Sequence, residues 1–146
     1  MMLETDSQKR DDREHQARAQ RAYLESRVLG ADPLELLVML YEGLQQSLLL
    51  GEQSLRARDW ETAQEALSKA RRIVTYLSQS LRPEGGEITG RLRSLYAYCF
   101  ENIGRASLEK DPEPLKDVQE VVSRLAGAWQ ALLQKQNQPL PSQEER

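Results

Sequence analysis

The chain has 146 residues, of which 39% are hydrophobic and 29% charged, enough to close one domain-sized core with polar ends left over. A formal net charge of -3 argues against a phosphate-binding surface as its main purpose. One cysteine, Cys99, cannot build a disulfide framework and points to a reducing compartment.

Residues 1 to about 20 mix acids and bases with almost no large apolar side chain, the composition of a solvated extension. They hold the one histidine, His15, read as a solvated tail residue. MMLETDSQKRDD lacks the apolar segment of a signal peptide, and no 18-residue apolar run follows, so a cytoplasmic protein without membrane insertion is expected. Towards Tyr23, Leu24, Val28 and Leu29 the extension gathers apolar residues and becomes a short amphipathic helix or extended lead-in.

Asp32, Pro33 and Glu35 mark a helix start, with a capping residue, a proline at the first helical position and an acid three residues after the cap. The helix predicted from Pro33 to about Arg58 carries one stripe at Leu34, Leu37, Tyr41, Leu44, Leu48 and Leu55. A second stripe lies beside it, at Leu36, Leu40, Gly43, Ser47 and Leu50. Two stripes exceed what one helix contact hides. Either both are buried by the chain itself or one serves a partner.

Asp59 can cap a second helix, Trp60 to about Leu81, whose seam is Ala63, Leu67, Ala70, Val74, Leu77 and Leu81. The Arg71-Arg72 pair on it reads most simply as a solvated face. RPEGGE then breaks the pattern as a loop. A third helix, about Glu87 to Glu109, has Ile88, Leu92, Leu95, Cys99, Ile103 and Ala106 as its seam, with Tyr96 and Phe100 one position further round. Asp111 and Pro112 end it and start a fourth, to about Gln134, with Leu115, Val118, Val122, Leu125, Trp129 and Leu132 inward. The remainder, through Pro139 and Pro141, is polar and expected to fray.

No stretch alternates with period two. Four helices of this length on short connections predict an all-α, antiparallel up-down-up-down four-helix bundle over residues 21–134, between the extension 1–20 and a tail 135–146. A bundle metal site needs inward Glu-x-x-His pairs, and no histidine lies in the helices. Cys99, between Leu95 and Ile103, reads as a buried and inert thiol. Gly85-Gly86 is too short for a phosphate loop, and no nucleophile, base and orienting acid come together. The expectation is a non-enzyme with no cofactor, no metal and no nucleic-acid partner. Second-row apolar residues such as Leu36, Leu40, Ile73, Tyr76, Tyr96, Tyr98, Phe100 and Val121 fit either a wide bundle core or a groove that takes an apolar segment.

The order RAYLESRVLGADPLELLVMLYEGL, LSKARRIVTYLSQSL, RLRSLYAYCFENI and RLAGAW closely resembles the flagellar export chaperone (FliS) family, over about Tyr23 to Leu133. The sequence departs from the family in its charged extension, in Asp32 where serine is commoner, in Glu42 for aspartate or asparagine, and in Ala106-Ser107 for alanine-asparagine. The resemblance implies a monomeric bundle that binds the disordered C-terminal region of flagellin one to one in the bacterial cytosol. It also implies that the chain prevents premature polymerisation and assists delivery to the flagellar type III export apparatus. It places the lead-in Tyr23, Leu24 and Val28 at or near the client groove. On the matching helices the client-binding candidates are Leu36, Leu40, Tyr41, Ile73, Tyr76, Tyr96 and Phe100. A helical adaptor or regulator binding an export-gate or anti-sigma component is the alternative.

Overall fold

The computed structural model describes Arg13 and residues 33–138. The chain divides into two compact units, Met1–Leu36 and Leu37–Arg146. In the first, Pro33–Leu36 form the opening turn of helix α1 (Pro33–Arg56), in which Leu34, Glu35 and Leu36 are half-buried. The Asp32 cap and the lead-in Tyr23, Leu24 and Val28 lie outside the described residues.

The second unit holds the rest of α1, α2 (Trp60–Gln79), a 3₁₀ turn (Pro83–Gly85), α3 (Gly86–Glu109) and α4 (Leu115–Gln136). No strand occurs among the described residues. The fold is the expected all-α four-helix bundle.

Each helix buries most of the stripe its spacing predicted. Tyr41, Leu44, Leu48 and Leu55 come from α1, and Ala63, Leu67, Ala70, Val74 and Leu77 from α2. Cys99, Ile103 and Ala106 of α3 and Leu115, Val118 and Val122 of α4 complete one continuous cluster. Contacts across the helices fix their directions. Trp60 at the start of α2 meets Lys110 just past the end of α3, and Arg71 meets Phe100 further along, so these two run antiparallel. Tyr41 near the start of α1 packs on Trp129 near the end of α4, ring centroids 6.3 Å apart.

Helix ends follow local hydrogen bonding. The Asp59 carboxylate accepts from the Thr62 N–H at 3.2 Å, the predicted cap of α2. α1 stops at Arg56, two residues early, because Arg58 turns left-handed (φ 59°) and the Asp59 N–H reaches back to the Ser54 carbonyl at 2.9 Å. Lys110 (φ 55°) ends α3 in the same way, with the Asp111 N–H on the Ala106 carbonyl at 3.1 Å. Both are glycine-style terminations made without glycine. α2 ends at Gln79 because the Ser80 hydroxyl donates to the Tyr76 carbonyl at 2.7 Å and the next bond tightens to Ser78. α4 starts at Leu115, not Pro112. Asp111 binds the Glu113 N–H, and Leu115 and Lys116 then bond three residues back, so the α-helical ladder begins only afterwards.

Two seams slip. Ile88, expected inside α3, is 69% exposed, and Thr89 takes the inward place by filling the space beside Gly85, where a Cβ would overlap its hydroxyl. In α4 Val122 and Ala126 are buried, Leu125 and Trp129 pack half-buried against the core as expected, and Leu132, expected inward, is exposed at 48%.

At the centre the Tyr41 and Tyr96 hydroxyls share a 2.7 Å hydrogen bond. Burial pushes both phenols above their ordinary 10.0, and the bond between them offsets part of the effect at Tyr41. The Trp129 indole N–H contributes an electrostatic preference for the Tyr41 phenolate without hydrogen-bond geometry. Burial likewise raises Cys99 from 9.0 to about 11, the inert thiol its position predicted. The unfolded chain therefore releases these protons at lower pH than the folded chain. Stability from the thiol is present below its unfolded value of 9.0 and is lost as pH rises through about 11. Thermal melts across an alkaline pH series are expected to fall over that window, and Cys99→Ala should fall later. Superimposable profiles for the two proteins would contradict the thiol's share.

Candidate functional site

With the core closed, large apolar side chains remain outside it. Tyr76 is 48% exposed on α2, Tyr98 41% exposed on α3, and Leu49 and Leu50 are exposed on α1. Burying one such residue against a partner would be worth about 1.5–3 kcal/mol, which makes the surfaces that carry them candidates for binding.

A concavity with mixed chemistry lies between α2 and α3. It is an open groove of about 470 Å³ lined by Ser68, Arg71, Arg72, Thr75, Tyr76, Gln79 and Phe100. α2 contributes every lining residue except Phe100, at successive turns of one face. The Arg71 guanidinium lies over the Phe100 ring, 4.1 Å from its centroid. The guanidinium also packs beside Gly104, one turn on from Phe100, where a Cβ would stand in ordinary contact at 3.5 Å. A second cleft, about 840 Å³ and mainly apolar, runs along α3 past Gly90, Ser94, Leu95 and Tyr98. A polar notch of about 500 Å³ separates α3 from α4, where the Tyr98 hydroxyl donates to Asp117 at 3.3 Å.

These surfaces sort the residues singled out from sequence. Tyr76 and Phe100 line one groove. Ile73, beside them on α2, is half-buried and packs against the core, as does Leu40 on α1. Ile73 also lies over Gly43, 3.6 Å from where a Cβ would stand. Tyr41 and Tyr96, expected at the binding surface, are instead interior, 1% and 4% exposed. The reason is their shared hydrogen bond, which lets two phenols enter the core with their hydroxyls satisfied. Leu36 is half-buried in the first unit, and Tyr23, Leu24 and Val28 are outside the described residues.

The two-stripe question on α1 resolves by parts. Ser47 and Gly51 turn inward, Gly43 faces Ile73 of α2, and Leu50 remains exposed at 47%.

Sequence reading missed Arg71 as part of a site. It is not a solvated residue: its Nε is buried and has no hydrogen-bond partner among the described residues. The signal was available, because Arg71 stands four residues after Leu67 and three before Val74, on the seam spacing itself. Among the described residues no cluster of His, Cys, Asp or Glu could hold a metal ion. No described helix is long and apolar enough to cross a membrane.

Comparison with known proteins agrees with the bundle. The sequence model of the family described as flagellar protein FliS matches residues 15–136. The chain belongs to the FliS family. Flagellar secretion chaperone FliS of Salmonella typhimurium is 34% identical over 111 residues, covering 75% of this chain and 82% of that protein. FliS of Vibrio cholerae is 30% identical over 107 residues, 73% and 79% of the two chains, and FliS of Bacillus subtilis 29% over 113, 77% and 84%. A crystal structure of a bacterial flagellar chaperone superposes with a TM-score of 0.67 at 18% identity, covering 82% of this chain and 98% of that one, which supports the FliS bundle as a fold. FliS is thus a chaperone family.

Proposed function

We propose that this chain is a cytoplasmic flagellin chaperone. It binds the disordered C-terminal region of flagellin one to one, prevents premature polymerisation and assists delivery to the flagellar type III export apparatus. The observation that carries the reading is family membership across residues 15–136, joined to an open groove of mixed polar and aromatic lining on the bundle surface. A subunit segment destined for helical contacts in a filament has an apolar face that needs cover beforehand. A groove with Tyr76 on its rim and Phe100 in its floor can take that face in the helix-in-groove manner. Ordering a disordered segment lowers affinity per unit area, which keeps a long interface releasable.

Calorimetric titration with the C-terminal segment of the flagellin encoded in the same genome tests this. One-to-one saturation with a negative heat-capacity change is expected. Tyr76→Ala should weaken binding by about 2 kcal/mol with its melting temperature unchanged, because the ring is half outside the fold. The lead-in belongs to the same proposal, so Tyr23→Ala should weaken binding as well. A folded chain that shows no saturable heat with this segment would overturn the reading.

A further inference from the structure

Four arginines on the helix surfaces, Arg56, Arg91, Arg105 and Arg124, each pair with a glutamate four residues away. Among the described residues, Arg71 and Arg72 have no such pair. Three and four residues to either side of them stand Leu67, Ser68, Lys69, Val74, Thr75 and Tyr76, none of them acidic. No described carboxylate lines their groove. The groove therefore holds two cations side by side without a counter-charge of its own.

Arg71 is also held in position. Its guanidinium is stacked on Phe100 and packs beside Gly104, which restricts where its donor edge points. Its buried Nε has no acceptor among the described residues, and an unmet buried donor is unfavourable until something pairs with it. A planar guanidinium with one face on an aromatic ring still offers its edge to a carboxylate, and the apolar floor strengthens that pairing. Arg72, exposed on the neighbouring rim, supplies a second charge.

We propose that the α2–α3 groove contains a carboxylate-recognition subsite, Arg71 backed by Arg72, for an acidic side chain flanked by apolar residues in the bound client segment. The proposal rests on the chaperone reading above. The groove favours a side chain over a chain terminus because its α2 wall runs from Ser68 to Gln79, about 16 Å of helix, and a segment passes along it. Tyr76 and Phe100 take the apolar neighbours while the arginines set the register. Apolar contact alone would let the segment slide by a turn.

The test is a calorimetric double-mutant cycle on the full chain. The probe is the synthetic C-terminal segment of the flagellin encoded in the same genome, with each Asp or Glu changed in turn to its amide. Arg71→Gln and Arg72→Gln should each weaken binding of the parent peptide, Arg71→Gln by about tenfold or more. Arg71→Lys should recover only part of the loss, since lysine keeps the charge and loses the stacked fork. One amide peptide should bind the parent chain weakly and lose nothing further with Arg71→Gln. Parent binding should also fall more steeply with added salt than binding by Arg71→Gln.

Melting curves accompany each variant, and Arg72, exposed on its helix, provides a variant whose folding does not depend on the Phe100 stack. The subsite is overturned if the folded variants bind like the parent, or if every amide peptide loses as much with Arg71→Gln as without it. It is equally overturned if inorganic phosphate competes while no peptide carboxylate matters. Retained binding in the variants sinks the subsite alone, whereas no binding by the parent chain sinks the chaperone reading with it.

Discussion

Leu67→Ala is expected to lower folding stability by about 2–5 kcal/mol. Leu67 is 0% exposed at the middle of α2, and its branch lies where α1 comes closest, against Gly51. The deletion removes the transfer energy of the lost carbons and leaves a void that two stiff helices close poorly. For a chain of this length each kcal/mol moves the melting midpoint by roughly 2–4 °C, so the change is visible by urea titration or by heat. A midpoint within a degree of the parent would mean that the α1–α2 contact is looser than the geometry states.

The second large effect sits on the other side of that contact. Glycine inside a helix costs about 0.8–1.0 kcal/mol relative to alanine, so on propensity alone Gly51→Ala should stabilise α1. Packing reverses the sign. A Cβ at Gly51 would collide with Leu67 Cδ2 and stand 2.9 Å from its Cγ, and Leu67 has no free space to move into. Overpacking of this kind costs about 1–3 kcal/mol, so Gly51→Ala should be a net loss and Gly51→Val a larger one. The two sites share one space and cannot be additive. Gly51→Ala combined with Leu67→Ala should be less unstable than the two separate losses predict, because the added methyl occupies part of the vacated volume. Full additivity in chemical denaturation would refute the close approach.

What sequence conveyed about the fold was its period. Spacings of three and four placed Leu44, Leu48, Leu67, Val74, Ile103 and Val118 inside, and all of them are interior. Asp59 announced its cap because side-chain capping is a local act between residues three apart. The ends of α1 and α3 were not legible, since Arg58 and Lys110 adopt a conformation that sequence advertises only when glycine occupies it. Ile88 was taken as inward because it is more apolar than Thr89, whereas the helix start at Gly86 turns Thr89 inward; Leu132 was placed one position off, beside an equally apolar Leu133 that is half-buried.

The candidate site was legible in part. Tyr76 and Phe100 were singled out because they exceed what one seam can hide, and they line one groove. Tyr41 and Tyr96 were singled out by the same logic, but a mutual hydrogen bond between positions 55 apart in sequence is invisible to periodicity. Arg71 was passed over because charge was allowed to outweigh spacing. Its stack on Phe100 is what makes an arginine tolerable on a seam.

The contact between Tyr41 and Trp129 has a bearing on the order of assembly. Helices adjacent in the chain meet after short connections, so their pairing requires little loop closure and proceeds early. The Tyr41–Trp129 contact instead joins the first helix to the last, with two helices between them. Its closure entropy is met only once the intervening helices are in place. The seam between α1 and α4 is therefore the last to zip during folding, and the first to part when the native bundle breathes.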